Sequence, residues 1–107
     1  MEPVFIETPE FAAKFDRIAT QDEMIAMQDE LIANPERGKI VQGTGGARKI
    51  RMRIGKRGKS GGARAIYYYV DLRGEIWFLE IFLKSEKSNL TISEKKKLYK
   101  FIKETIQ

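Results

Sequence analysis

The feature that most constrains this chain is a change of period at Asn34-Pro35. Before it, apolar residues recur at helical spacing, first Phe11, Phe15 and Ile18, then Met24, Met27, Leu31 and Ile32. After it they alternate, as in Lys49-Ile50-Arg51-Met52-Arg53-Ile54. Apolar residues three and four apart line one side of a helix, whereas strict alternation lines one face of a strand. An N-terminal helical half must therefore cover a C-terminal sheet half, and 107 residues fit a single domain, residues 1–107, with one modest core.

Local signals divide the halves. Residues 1–7 read as a short strand or extended lead. Thr8-Pro9-Glu10 supplies a cap and a first-turn proline for a helix over 9–18. Thr20 and Glu23 have capping-box spacing for a second helix over 21–33, which Asn34-Pro35 ends. The alternating run Lys49 to Ile54 is a strand. Ala63 to Asp71 is a second, rich in tyrosine, and Ile76 to Lys84 a third, joined by a turn at Leu72-Arg73-Gly74-Glu75. In the last strand Trp77, Leu79, Ile81 and Leu83 form the expected inward stripe. Thr91-Ile92-Ser93-Glu94 opens a C-terminal amphipathic helix with Leu98, Phe101 and Ile102 on its apolar side. The order predicts an α+β domain, an antiparallel meander with two N-terminal helices and one C-terminal helix, all on one sheet face.

Charge is distributed unevenly. Up to Glu36 the acids far outnumber Lys14 and Arg17, whereas Arg37 to Arg64 carries only cations, within a net charge of +5. A basic stripe on an otherwise mixed domain is the footprint of a polyanion site, since each neutralised phosphate releases counterions. A merely solvated basic surface is the plainer reading. The chain has no cysteine and no histidine, which removes disulfides, thiolate metal sites and the commonest general base. No apolar run approaches the roughly 18 residues of a bilayer span. The N-terminus, with Glu2 and Pro3, lacks the pattern of an export signal. The expectation is a soluble, cytoplasmic protein without cofactor.

The runs Asn34-Pro35, Gly43-Thr44-Gly45-Gly46-x-Arg48-Lys49-Ile50-Arg51, Gly61-Gly62-x-Arg64-x-Ile66-Tyr67-Tyr68 and Ile81-Phe82-x-Lys84-x-Glu86-Lys87-Ser88-Asn89-Leu90 together resemble the HigB branch of the RelE/ParE toxin superfamily. The resemblance implies a RelE-like fold and a toxin of a type II toxin-antitoxin module. Such a toxin enters the ribosomal A site and cleaves mRNA there without a cofactor. It also implies a cognate antitoxin with a helix-turn-helix domain, HigA-like. Carried onto this chain, Lys49 and Arg51 occupy the cationic second-strand positions, Arg64 opens the following strand, and Lys84, Glu86 and Lys87 follow the last strand. Ser88-Asn89-Leu90-Thr91 stands where RelE has a tyrosine.

The residues themselves fit that chemistry. RNA can be cut by its own 2'-hydroxyl, so an enzyme need only orient the backbone, stabilise charge on the phosphoryl oxygens and move protons. Arg64 is suited to grip two phosphate oxygens, or else pairs with an acid. Lys49 and Arg51 share the polar face of their strand and suit catalysis, by neutralising flanking phosphates or by proton transfer from a lysine whose pKa its cationic neighbours lower, or else form a soluble outer face. Arg53 on that face and Arg48 before it suit RNA binding. Glu86 is either a base or a salt-bridge partner of Lys84 or Lys87. Lys56, Arg57 and Lys59, on a glycine-rich loop over 55–62, suit docking on ribosomal RNA. Tyr68 falls in phase with Arg64 and can stack on a base, with Tyr67 and Tyr69 on the opposite face. A ParE-like inhibitor of DNA gyrase and a non-catalytic RNA-binding module are the competing readings.

Overall fold

A computed structural model describes residues 2–55 and 62–107. Lys56, Arg57 and Lys59, assigned above to docking, lie outside the described residues. The order is β1 (Val4–Glu7), α1 (Pro9–Ile18), α2 (Gln21–Ala33), β2 (Lys39–Ile40), β3 (Arg48–Met52), β4 (Ala63–Val70), β5 (Glu75–Leu83) and α3 (Ile92–Phe101), closed by a π-helical turn over Ile102–Ile106. Both N-terminal helices fall where their caps predict. Thr8 accepts from the Phe11 N–H at 3.3 Å and donates its hydroxyl to the Phe78 carbonyl at 3.1 Å, so one side chain starts α1 and ties it to β5. Thr20 and Glu23 complete a capping box on α2, and Thr91 and Glu94 complete one on α3.

The sheet runs β1-β5-β4-β3-β2, with β1 parallel to β5 and the other neighbours antiparallel. The helices do not share one face. Phe11, Phe15, Met24, Met27 and Leu31 of α1 and α2 bury Ile50, Met52, Ala65, Tyr67 and Phe78, whereas Ile102, Ile106, Leu98 and Phe101 pack with Ala47, Ile66, Leu79 and Phe82 on the other side. The reason is that β4 and β5 are apolar on both faces, as central strands between two helical layers must be. A shift of register opposite Ile66/Tyr67 leaves Leu79 without a partner on β4, and such a bulge reverses the phase of the strand. The expected single stripe on β5 is thereby split: Trp77 and Leu79 face α3, and Ile81 and Leu83 face α1 and α2. Glu80, at the bulge, is 8% exposed and is satisfied by Lys14 Nζ at 2.7 Å and by the Ile81 N–H at 3.1 Å.

Tyr67 fixes the passage from helices to sheet. Its ring is fully buried, and its hydroxyl donates to the Pro35 carbonyl at 2.8 Å and accepts from the Gly38 N–H at 2.9 Å. Burial pushes its pKa up, against the opposing pull of the Gly38 N–H. Gly38 is required there, because a Cβ would stand 2.8 Å from the ring. Tyr67→Phe leaves both backbone groups without their partner, and should lower the unfolding free energy by about 1–3 kcal/mol. Urea denaturation should show a lower midpoint with an unchanged m-value.

Candidate nucleic-acid interface

The functional face follows from the register of β3 against its neighbours. Ile50 and Met52 are buried beneath α2, and alternation then places Lys49, Arg51 and Arg53 on the opposite side of the strand. On β4, Ala63 and Ala65 belong to the same buried layer as Ile50, so Arg64 shares the face of the rail. The pairing sets Lys39 of β2 directly across from Lys49, and Arg51 directly across from Arg64. Side chains in such pairs leave the sheet with Cβ atoms about 4.5–5.5 Å apart, and like charges facing one another are destabilising. Two successive cation-on-cation pairs are thus built into three strands. They border a depression of about 490 Å³ at the outer edge of β3, where Arg37, Lys39, Lys49, Arg51, Arg53 and Arg64 contribute to the lining. Glu23 and Glu30 of α2 lie on its far wall.

The chain after β5 completes the face. Arg64 is half-buried, donates to the Ala63 carbonyl at 3.2 Å, and stands across the strand pair from Phe82. Lys87 Nζ sits 5.0 Å from the centroid of the Phe82 ring and is ion-paired to Glu94. Lys49 Nζ donates to Asn89 Oδ1 at 3.0 Å, which anchors the amine while leaving two of its donors for another acceptor. Buried Leu90, next in the chain, pins Asn89 against the second core.

The sequence-predicted residues divide accordingly. Lys49, Arg51, Arg53 and Arg64 come together on one surface. Lys87 is nearby but already engaged by Glu94. Arg48 is used within the fold: Nη1 donates to the Glu36 and Gly38 carbonyls at 3.0 and 2.8 Å, and Nη2 to the Glu36 carboxylate at 3.2 Å. Arg48, assigned above to RNA binding, closes the loop between α2 and β2 through these bonds. Tyr68 is on the face of Arg64 but about 13 Å along the strand at the usual rise. A Cβ on Gly46 would meet its ring at 3.2 Å, and its hydroxyl accepts from Gln107 Nε2 at 2.7 Å. It packs against the C-terminus and does not border the arginine pair. Lys84 is exposed, its backbone N–H donating to the Gly62 carbonyl at 3.0 Å. Glu86 is exposed and lines a separate depression with Lys14 and Arg17 of α1, so it is not drawn into the cationic face as a base. Among the described residues no three Asp, Glu, His or Cys side chains gather as a metal site.

Sequence reasoning missed Lys39 and Asn89. Lys39 lies on a strand of two residues, too short for alternation to reveal. Asn89 was visible only as one letter of the post-strand run.

A three-layer domain whose sheet sets cation opposite cation on one face presents a surface suited to a polyanion. Residues 11–107 match the family model described as the RelE toxin of the RelE/RelB toxin-antitoxin system, and the chain belongs to that family. A mutant of the E. coli toxin RelE in the free state shares the fold, with TM-score 0.58 and 14% identity over 76% of this chain and 82% of that one.

The Lys87 ammonium and the Thr91 N–H hold Glu94 below the ordinary carboxylate value of 4.5, outweighing partial burial. Glu23 is also lowered: burial opposes the shift, but hydrogen bonds from the Gly55 N–H and from Thr20 prevail. A carboxylate depressed by folding contributes stability that is present above 4.5 and is lost as pH falls through the lowered value. Glu94→Gln should therefore lower Tm near neutral pH and shrink its fall on acidification, with Glu23 and with Glu75, lowered by hydrogen bonds from Trp77 and Arg73, contributing to the slope that remains. Thermal melts at stepped pH would check this.

Proposed function

We propose that this protein is the toxin of a type II toxin-antitoxin module and acts as a ribosome-dependent endoribonuclease that cuts translated mRNA and so arrests translation. The observation that carries this reading is the strand register that sets cation opposite cation twice, Lys39 across from Lys49 and Arg51 across from Arg64. Cations set opposite one another on a sheet concentrate positive potential, and a phosphodiester backbone is the ligand that such potential attracts. An interface built to grip a protein such as gyrase has no need of two such pairs.

In the proposed reaction the 2'-oxygen of the RNA attacks the adjacent phosphorus, its proton passes to water, and the bond to the 5'-oxygen breaks. A 2',3'-cyclic phosphate and a 5'-hydroxyl result. Arg64 and Arg51 take the non-bridging oxygens, whose charge grows in the transition state. The Lys49 ammonium, oriented by Asn89, donates a proton to the departing 5'-oxygen. Lys39 and Arg53 hold flanking phosphates and position the strand without reading its sequence. RNA supplies the nucleophile, so the step calls for no metal. Glu86 has no part in it, and Lys84 serves at most as a peripheral phosphate contact. The ribosome contributes what one open face lacks, a fixed mRNA conformation.

The site of action is the cytoplasm, where translation occurs. Family membership implies an antitoxin, and we assign it to the helix-turn-helix, HigA-like kind on the strength of the HigB-like motifs. Induction in growing cells with mapping of mRNA 5' ends tests the reading. Wild type should produce cuts phased to codons within translated regions. Arg64→Ala should reduce cleavage by at least about a hundredfold, the scale of losing one transition-state charge donor, and should restore growth while the protein stays folded. Intact message with blocked replication would instead identify a gyrase inhibitor, and undiminished cutting by the variant would remove Arg64 from the site.

A further inference from the structure

A second cationic surface lies on α3, outside the strand face. Lys95 and Tyr99 are four residues apart on α3 and so neighbour one another along it, and Lys103, in the π-helical turn that follows, extends the row beside the Tyr99 ring. The strand tyrosines are all engaged: Tyr67 is buried, Tyr68 bonds Gln107, and Tyr69 donates to Asp71 at 2.9 Å. Tyr99 is instead 47% exposed, with Lys103 Nζ 5.7 Å from its ring centroid.

The ring is held in place from behind. A Cβ on Gly45 would stand 3.1 Å from Tyr99 Cδ2, and one on Gly43 would stand 3.7 Å from Lys95 Cδ. Both glycines have positive φ, +80° and +85°, in a turn closed by buried Thr44. The Thr44 hydroxyl donates to the Val41 carbonyl at 2.7 Å and accepts from the Ala47 N–H at 3.0 Å. A fixed turn thus backs an aromatic ring that is flanked along its row by two ammonium groups. The turn ends at Ala47, two residues before Lys49, and Asn89, which holds Lys49, lies two residues before the α3 cap. The row therefore continues from the cationic face.

Charge favours one class of ligand. Lys95, Lys96, Lys97, Lys100 and Lys103 outweigh Glu94 and Glu104 on this side, and Glu94 is already paired. The layer on the opposite side of the sheet carries Glu10, Asp16, Asp22, Glu23, Asp29 and Glu30 against Lys14 and Arg17. An acidic peptide would use the lysines but has no use for a backed, exposed ring. Single-stranded RNA uses both, because every base has a face that stacks and every linkage a charge.

We propose that the Lys95–Tyr99–Lys103 row is a second RNA contact, where an unpaired base stacks on Tyr99 while the neighbouring phosphates meet Lys95 and Lys103. The inference takes RNA as the ligand from the functional reading above but needs no catalysis. The test is fluorescence anisotropy of the full chain with a labelled single-stranded 2'-O-methyl RNA of about 12 nucleotides, within the usual site size. Such RNA cannot be cut through its own hydroxyl, so binding is read apart from cleavage. Tyr99→Phe should bind as wild type does. Tyr99→Leu, which keeps apolar packing on the Gly45 turn but cannot stack, should bind about tenfold more weakly. Replacing Lys95 and Lys103 together with Met should lower the slope of log affinity against log salt by about 1.4, two single-strand contacts. Circular dichroism should show every variant folded. RNA affinity within twofold of wild type for Tyr99→Leu, or an unchanged salt slope for the lysine pair, would overturn the proposal. So would a Leu variant that weakens only the antitoxin complex. Loss of cleavage with this binding intact would count against the nuclease reading alone.

Discussion

The cationic face depends on the register of β3 against β4. Ile50 and Met52 must lie beneath α2 to complete the first core, and Ala63, Ala65 and Tyr67 must meet the same layer. A slip of one residue would exchange the faces of the strand, burying arginines and exposing methionine and isoleucine. The hydrophobic effect thus selects the one pairing that also brings Arg51 to Arg64. The apolar side of the same strands sets the pairing, burial of a single such side chain being worth about 1.5–3 kcal/mol against at most about 1 kcal/mol for a facing like-charge pair.

The connection between α2 and β2 extends the face by a second pair. Tyr67, rooted in the core, holds Pro35 and Gly38, while Arg48 holds Glu36 and Gly38. These contacts deliver the two-residue strand β2 to the edge of β3, which is how Lys39 comes to face Lys49. Arg48 thus serves the structure of the loop. On the far side of the sheet α3 does the equivalent work, since Leu90 and the capping box at Thr91 fix the segment that offers Asn89 to Lys49.

Much of this was legible in the sequence because short-range physics specified it. Caps and apolar spacing place α1 and α2, and alternation assigns Lys49, Arg51 and Arg53 to one side of a strand. Three features were not legible, each for a long-range reason. The layering of helices on both faces depends on α3 finding Ile66, Leu79 and Phe82, and apolar runs on central strands carry no face label. The bulge at Leu79 and Glu80 is stabilised by Lys14, remote in sequence, and so the stripe from Trp77 to Leu83 looked continuous. The role of Arg48 is set by carbonyls ten and twelve residues earlier, which no local pattern announces. Tyr68 was rightly placed on the face of Arg64, yet alternation gives a side and not a distance, and it packs at the other end of the strand.

The central claim is that the paired cations stabilise a cleavage in which RNA attacks itself. It is tested most directly with purified ribosomes carrying an mRNA that has a single 2'-deoxynucleotide at the cut site, assayed in single turnover with excess toxin. The account predicts efficient cutting of the all-ribose message to a 2',3'-cyclic phosphate and no cutting of the deoxy-substituted one at that position. Cleavage of both at the same rate would contradict it.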